Sequence, residues 1–597
     1  MLTKVLIANR GEIAVRVVRT CAELGIASVA VHSDPDEKAM HVRLADEAIR
    51  LPGSTPAETY LNPERLLAAA LASGADAVHP GYGFLSESAS FAELVEGAGL
   101  TFIGPPPAAI AALGDKVAAR SLAQAAGVPV IPGVESDELT ADQVCRLGEA
   151  SGWPVVVKAA RGGGGRGMRV VRSAADAEAA LASARAEARA AFGNGTLYAE
   201  RYLERPRHIE VQIFADTHGQ VVWWGDRDCS VQRRHQKLVE EAPAPGLDAS
   251  LRTDMGDAAT RLARQVGYRG AGTVEFLVED GRFFFLEMNT RIQVEHPVTE
   301  AVLGLDLVRE QLLVAGGAPL SLPVSGPPPR GHAVECRLNA EDPARAFLPT
   351  PGTLRELTVP LHPGVRLDAG YEAGDEIPPH YDSLLAKVVT WGATREIAVR
   401  RMRAVLADTR IDGVATTVPA VAAVVGHADF IDGGVSTHWF ERVIGPRLAE
   451  LPHPAEPMTS DTAAPDDGVW IAGRFHRLPR VAPIAGTTVA RPAGRRARGP
   501  ATAQDHARAP ADWRQLMSPM HGTVASVSVV KGDAVTAGQV VATVEAMKME
   551  NRVIAMADGV VEAVNVTTGQ TVTAGTVLVR LRAPAPSETA PNKEVLT

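Results

Sequence analysis

Three side chains with hard oxygen donors crowd one short stretch of this sequence. Glu275 lies in an apolar strand candidate, Thr273 to Val278, and Glu287 and Asn289 lie in the next, Arg282 to Asn289. Residues two apart on a strand share a face, so Glu287 and Asn289 point together. Mg²⁺ takes oxygen ligands, usually one or two carboxylates with phosphate oxygens and water. Two acids and an amide fit that ion, or Mn²⁺, with a polyphosphate completing the shell. The apolar neighbours Phe283, Phe284, Phe285, Leu286 and Met288 argue against full exposure of both strand faces. Sharing one ion requires Glu275 and Glu287 on one face. A two-residue turn at Asp280-Gly281 would pair Glu279 with Arg282 and separate them. A three-residue loop, Glu279-Asp280-Gly281, pairs Val278 with Arg282 and turns both inward. The three-residue loop is therefore expected, with Gly281 left-handed in a bulge.

The polyphosphate has a candidate cradle upstream. Lys158 sits in a strand candidate, Val155 to Ala159, followed by Gly162, Gly163, Gly164, Gly165, Arg166, Gly167 and Met168. Consecutive glycines leave backbone N–H groups free to wrap phosphate oxygens, and Lys116 and Lys158 add positive charge. A glycine run alone could be a flexible connector. Between strands 155–159 and 168–171 it reads as a hairpin flap over a nucleotide. An Ala-rich helix over about 174–192 follows. Tyr198 to Leu203, including Glu200, Arg201, Tyr202 and Leu203, then reads as a strand and hinge offering apolar surface to an adenine.

A third candidate is Lys548, in Val-Glu-Ala-Met-Lys-Met-Glu-Asn, residues 544–551. Gly522, Gly532 and Gly538 recur as Gly559, Gly569 and Gly575, each 37 residues on. Each copy reads strand, glycine turn, strand. Two copies make a small two-fold β-sandwich, with Lys548 between them. An ordinary exposed lysine is the alternative, and the duplication argues against it.

Around these groups the chain is long enough, at 597 residues, for three to five domains. A net charge of −10 argues against nucleic acid, which needs a basic surface. Cys21, Cys145, Cys229 and Cys336 show no Cys-x-x-Cys spacing, so zinc and redox roles are not indicated. Reduced buried thiols fit a cytosol. No signal-like segment and no run of 18 apolar residues is seen, which argues against a membrane span. Val5 to Ala8 reads as a strand, Ile13 to Leu24 as a helix ended by Gly25, and Ala27 to His32 as the next strand. The alternation continues to about Pro107 and implies a parallel sheet. Its first turn lacks Gly-x-Gly-x-x-Gly, so no dinucleotide site is expected. The loop His79 to Glu87, with Tyr82 and Gly83, follows the strand Ala75 to Val78; its glycines let backbone approach a ligand.

Lys116, Lys158, the glycine flap, Glu200 to Leu203 and the paired acids stand in an order that resembles the ATP-grasp fold. More narrowly, residues 1–445 resemble biotin carboxylase, through RHIEVQ (Arg207 to Gln212), QRRHQK (Gln232 to Lys237) and EMNTRIQVEHPVTE (Glu287 to Glu300). The C-terminal repeat resembles the biotinyl and lipoyl carrier domains, Met547-Lys548-Met549 being the biotin version. The resemblance implies biotin on Lys548, ATP as substrate, and His208, Gln232 and His235 as ribose and phosphate contacts. It implies that Lys237, Arg291, Gln293 and Val294 hold bicarbonate and that Glu295 takes its proton. A small planar anion suits a bidentate Arg. The nucleophile would attack the γ-phosphorus of ATP to give carboxyphosphate. Arg337 would stabilise the negative oxygen of the biotin ureido ring, with Tyr82 and Gly83 nearby. Catalysis is thus expected of Lys237, Arg291, Glu295 and Arg337.

The expected architecture is an N-terminal α/β domain (1–112) and an ATP-grasp α+β domain (113–330, with a lid over about 130–203). An α+β C-terminal carboxylase domain (331–445) follows, then a Pro-rich linker (446–512) with a small hairpin at 467–478. An all-β biotinyl sandwich (513–582) and a disordered tail (583–597) complete the chain. For about 66 flexible linker residues the root-mean-square span is roughly 45 Å. Nothing remains to house a carboxyltransferase, so a separate β subunit is expected. A biotin protein ligase and homo-oligomerisation within an α/β complex are also expected. The carrier lacks an insertion between Val524 and Lys531, where carriers of the separate bacterial acetyl-CoA carboxylase type carry a thumb. That favours the α subunit of an acyl-CoA carboxylase acting on acetyl-CoA or propionyl-CoA. Pyruvate, methylcrotonyl-CoA or urea as acceptor, or a non-catalytic carrier, are the alternatives.

Overall fold

A computed structural model of the protein describes residues 2–136, 138–159, 168–192, 196–450, 468–471, 474–477, 514–518, 522–546, 549–572 and 575–583. Two compact units divide the chain, the first holding residues 1–452.

The first unit opens on a parallel sheet of five strands. Their order across the sheet is Glu47–Arg50, Ala27–His32, Lys4–Ile7, Ala77–His79 and Thr101–Phe102. The fourth begins two residues later than the expected Ala75. The helix Gly11–Leu24 buries Ile13, Val17, Val18 and Cys21 against Val5 and Ile7, each such side chain worth about 1.5–3 kcal/mol as an upper bound. Gly25 ends it in the left-handed conformation, its N–H bonded to the Ala22 carbonyl. The strand order reverses between Lys4–Ile7 and Ala77–His79, and ligands of open α/β sheets bind outside the carboxyl ends of strands at such a point. Asn9 to Glu12 and the loop His79 to Glu87 occupy that position. Asn9 Nδ2 donates to the carbonyls of Pro80 (2.7 Å) and Tyr82 (2.8 Å). A Cβ on Gly81 would lie 2.8 Å from that same Nδ2, so close approach requires glycine there.

A second sheet has eight antiparallel strands in the order Arg282–Asn289, Gly270–Glu279, Arg207–Ala215, Val221–Arg233, Gln236–Ala242, His332–Asn339, Leu384–Gly392 and Val365–Ala369. Its strands come from both sides of residue 330. Gln236–Ala242 pairs with His332–Asn339, Glu240 standing opposite Glu335. On its flanks, Ala249–Gln265 buries Met255, Ala258, Ala259 and Leu262 in one core, and Arg395–Asp408 buries Met402, Val405 and Leu406 in another. A four-stranded sheet, Gly133–Glu135, Leu197–Arg201, Val155–Ala159 and Arg169–Val171, carries Lys158 and Glu200. Ala174–Asp176 is a 3₁₀ turn leading into the helix Ala177–Phe192.

The acid-bearing hairpin corrects one expectation. Its loop has two residues, not three: Glu279 pairs with Arg282. Asp280 (φ 50°) and Gly281 (φ 70°) are both left-handed, the signature of a tight turn that matches strand twist. That register would part the two acids, but a bulge follows. Phe276 pairs with Phe285 and Glu275 with Glu287, leaving Leu286 as the extra residue. One inserted residue reverses side-chain alternation, so Glu275 and Glu287 face each other after all.

In the second unit the repeat becomes two four-stranded antiparallel sheets. Gly522 and Thr523 pair with Val572 and Thr571, and Gly559 and Val560 pair with Val535 and Ala534. Each copy's first strand thus takes its partner from the other copy, which is the pseudo-two-fold relation of an intertwined sandwich. Gly532, Gly538, Gly569 and Gly575 all have φ between 83° and 100°, so these repeated turns demand glycine. Strands Val540–Ala546 and Met549–Ile554 flank Lys548, which lies outside the described residues. Gly468–Ile471 pairs with Arg474–Arg477 as a hairpin; the rest of the stretch 451–513 and the tail after 583 lie outside the described residues.

Candidate functional site

Lys237 is the hub of the site. Its ammonium donates to Glu295 at 2.6 Å, Glu210 at 2.7 Å and Glu275 at 2.9 Å. These acids arrive from different elements: Glu210 and Glu275 stand opposite each other on paired strands, and Glu295 precedes the helix His296–Leu303. Burial would lower the pKa of Lys237, yet Glu210, Glu275 and Glu295 hold it well above the ordinary lysine value. It is therefore a fixed cation.

Glu295 is fully buried. Burial would raise its pKa, but Lys237, Arg337 and Arg227 together hold it well below the carboxylate range. Arg337 reaches it with one N–H at 2.9 Å and gives its Nε to Glu240 at 2.6 Å. Arg227 is itself wholly buried, bonded to Glu210 and, at 2.9 Å, to Gln212 and Thr299. Burial pushes Glu240 up to about 7 against the pull of Arg337. Burial likewise pushes Glu335, across from it, well up against Lys387. Glu295 is thus an ionised carboxylate between Lys237 and Arg337, backed by Glu240 and Glu335, two acids inclined to keep protons.

The proposed metal donors lie next to this hub. Burial would raise the pKa of Glu275, but Lys237 and His208 hold it below the carboxylate range, with His208 Nε2 2.9 Å away. Asn289 Nδ2 donates to Glu275 at 2.8 Å. Glu287, half-buried, stands directly across the hairpin from Glu275. Carboxylates and an amide with no sulfur among them are the hard set that Mg²⁺ or Mn²⁺ accepts, so the residues present fit such an ion. His208, Glu210 and Glu275 bring three ligand atoms within 4.8 Å of one another.

Arg291 is already engaged: Nε with Glu87 at 3.0 Å, and its amino groups with Gln293 (3.0 Å) and Asn289 (3.1 Å). Glu87 also accepts from the Thr290 N–H at 3.1 Å. The switch-point loop is thereby tied to the candidate anion loop 291–295. Gln293 is buried and donates to Glu275 at 3.1 Å. Gln232 is buried, and His235 is exposed at a left-handed turn with Arg234.

Among the candidate nucleotide residues, Lys158 bonds the buried Glu200. Arg201 and Tyr202 donate their backbone N–H groups to Pro132 and Pro154, both at 2.9 Å. Leu203 packs with Ile131, Phe284 and Leu277, an apolar patch at the hinge. Met168 is exposed. Lys116 opens the helix Lys116–Ala125. Gly162, Gly163, Gly164, Gly165 and Gly167 lie outside the described residues.

Sequence reading overlooked Glu12, Glu87, Glu210, Arg227, Glu240, Glu335 and Lys387. A signal was available for several. A charge inside an otherwise apolar strand, as in LLAKVV around Lys387 or HIEVQIF around Glu210, is expensive to bury unless paired.

Comparison with known proteins agrees with this arrangement. Residues 1–110 match "Biotin carboxylase, N-terminal domain" and 115–322 match "Carbamoyl-phosphate synthase L chain, ATP binding domain". Residues 335–442 match "Biotin carboxylase C-terminal domain" and 514–581 match "Biotin-requiring enzyme". A biotin carboxylase of Haemophilus influenzae is 52% identical over 448 residues, 74% of this chain and 99% of that protein. The biotin-dependent acyl-coenzyme A carboxylase alpha3 subunit of Mycobacterium leprae is 45% identical over 573 residues, 93% of this chain and 95% of its own length. Among solved structures, the biotin carboxylase domain of a thermophilic 2-oxoglutarate carboxylase bound to bicarbonate has a TM-score of 0.71 at 42% identity, covering 75% of this chain and 99% of that one. No helix among the described residues is long and apolar enough to cross a membrane. With its ATP-grasp site, a matched domain on either side of it and a biotinyl sandwich beyond, the chain belongs to the biotin carboxylase family.

Proposed function

We propose that this chain uses ATP and bicarbonate to carboxylate biotin carried on its own Lys548, for delivery to an acyl-CoA by a separate carboxyltransferase β subunit. The observation that carries the proposal is Glu295, held ionised between Lys237 and Arg337 beside the facing pair Glu275 and Glu287.

Glu295 takes the proton of bicarbonate. A depressed pKa makes a carboxylate a weak base, but the cations that depress it also stabilise the doubly charged anion left behind. Arg291, Gln293 and the backbone of Val294 hold that anion, Arg291 exchanging its present partners for it. Lys116, Lys158 and the glycine flap hold the ATP phosphates, with Glu200 steadying Lys158. His208, Gln232 and His235 contact ribose and phosphate, and Glu200 to Leu203 with Met168 bound the base. Glu275, Glu287 and Asn289 would hold Mg²⁺, which would supply positive charge toward the phosphoryl group. The activated anion attacks the γ-phosphorus, giving carboxyphosphate and ADP. Carboxyphosphate breaks down to CO2 and phosphate, the phosphate takes the ureido N–H proton of biotin, and the freed nitrogen attacks CO2 to give carboxybiotin and inorganic phosphate. Arg337 stabilises negative charge on the ureido oxygen, with Tyr82 and Gly83 bounding the ring.

The Mycobacterium leprae relative, an acyl-CoA carboxylase alpha subunit that runs alongside both halves of this chain, supports the acyl-CoA class and a β partner. The stretch 446–512 acts as a tether between two sites. ADP formation by the purified chain, with and without bicarbonate and free biotin, tests the first half. Bicarbonate-dependent ADP formation is expected; ATP cleavage indifferent to bicarbonate overturns it. Radiolabelled bicarbonate with the co-purifying partner and acetyl-CoA, propionyl-CoA or pyruvate tests the acceptor. Label in pyruvate alone overturns the acyl-CoA reading.

A further inference from the structure

Lys387 is completely buried and has no part in the chemistry described so far. It stands opposite Arg337 on the paired strands His332–Asn339 and Leu384–Gly392. Its ammonium donates to the Val294 carbonyl at 2.8 Å and lies 3.1 Å from a carboxylate oxygen of Glu12. Glu12, at the start of the helix Gly11–Leu24, accepts in turn from the Tyr82 hydroxyl. Burial disfavours the charge on Lys387, but Glu12, Glu335 and Asp368 outweigh it and hold the amine protonated.

Three parts of the chain meet on this one ammonium. Glu12 and Tyr82 belong to the switch point of the parallel sheet, Val294 to the anion loop, and Lys387 to the far side of the eight-stranded sheet. Packing does not require a charge there, because an apolar side chain of similar volume would avoid the desolvation penalty. What the charge provides is direction: an ammonium bonds a carbonyl and a carboxylate at once. Val294 and Tyr82 lie on the anion and biotin sides respectively in the functional reading above, on which this inference rests.

We propose that Lys387 is a positioning residue that, through Glu12, sets Tyr82 on the biotin side in register with the Val294 backbone on the bicarbonate side. It touches neither reactant. Its effect is to make the geometry of one subsite depend on the other, so a change at Tyr82 is felt by bicarbonate.

The test is steady-state carboxylation of free biotin by the full chain carrying Tyr82→Phe, Glu12→Gln or Lys387→Met, or the pair Tyr82→Phe with Lys387→Met. Couplings through such networks are worth about two- to thirtyfold. Tyr82→Phe and Glu12→Gln are expected to raise the KM for bicarbonate within that range while the KM for ATP stays within about twofold. The paired variant is expected to be no worse for bicarbonate than Lys387→Met alone. Should Lys387→Met not fold, the other two single variants still decide. An unchanged bicarbonate KM in both overturns the proposal, as does a parallel rise in the ATP KM, which is what loosened packing would produce. Absence of bicarbonate-dependent turnover in the unaltered protein overturns the functional reading and the positioning role together.

Discussion

Glu275 and Glu287 face each other across a hairpin whose two-residue turn should have set them apart, and the bulge at Leu286 is what reunites them. Leu286 is itself 41% exposed, so its contribution lies in the count of residues rather than in packing.

Removing the Glu287 carboxylate, rather than Leu286, tests the metal assignment. Deleting Leu286 makes the ladder continuous with Glu287 still opposite Glu275, so the Mg²⁺ requirement should there stay close to that of the unaltered protein. In Glu287→Gln the Mg²⁺ concentration needed for half-maximal ADP formation is expected to rise about ten- to a hundredfold. An unchanged Mg²⁺ requirement in Glu287→Gln would remove that residue from the metal site.

Arg337→Ala should impair both chemistry and folding. Loss of an oxyanion donor lowers the rate of biotin carboxylation by about 10²–10³, with ATP affinity little changed. Glu295 and Glu240 would also lose a partner while remaining buried, a loss of about 3–5 kcal/mol. Adding Glu240→Gln is expected to recover part of the melting temperature and none of the rate. A rate recovered along with stability would mean that Arg337 is structural only.

The same substitution should shift the pH profile. Glu295 works ionised, so activity is lost as pH falls through its pKa. Burial raises that pKa, while Lys237, Arg337 and Arg227 depress it. Removing Arg337 takes away one of the opposing cations, and the acid limb of kcat should move to higher pH. A limb that stays put would assign the base elsewhere.

His41 offers a stability test away from the site. It is completely buried, and burial above all lowers its pKa from 6.5 to about 4, Asp36 opposing while Arg10 and His32 assist. Between those values the unfolded chain binds a proton that the folded one refuses, so stability falls as pH drops through that window. The full effect is about 3 kcal/mol. Melting curves at about pH 7 and about pH 5 should therefore show a loss smaller in His41→Gln than in the unaltered protein by at least about 2 °C. Equal losses would show that His41 is not kept neutral.

Lys548→Arg separates the two halves of the chain. Guanidinium stays protonated and is a poor nucleophile, so it cannot take up biotin. Labelling by biotin protein ligase and acyl-CoA carboxylation should vanish, while carboxylation of free biotin stays nearly intact. A carrier still labelled would place the modification at another lysine.

Much of the fold was legible because its signals are local. The 37-residue recurrence of glycines foretold the repeated turns, at which Gly532, Gly538, Gly569 and Gly575 are left-handed in the structure. It could not show that each copy's first strand pairs with the other copy's second, since both pairings satisfy the same alternation. The hairpin was misjudged for a similar reason. The shared face of Glu275 and Glu287 was read correctly, but the loop was assigned the extra residue that Leu286 carries, because a bulge leaves no mark of its own in an apolar run.

What the sequence determined by itself was the inventory: the acids, the amide, the lysines, the glycine flap and Lys548, each in a motif whose members lie within a few residues. Tertiary structure decided their charge and company. Glu295 is ionised because Lys237, Arg337 and Arg227 surround it, and Glu240 is pushed up to about 7 because burial there outweighs Arg337. Lys387 ties Val294 to Glu12 only because three segments distant in sequence converge. Protonation depends on distance and on exclusion of water, and both are properties of packed neighbours, which no local run of residues contains.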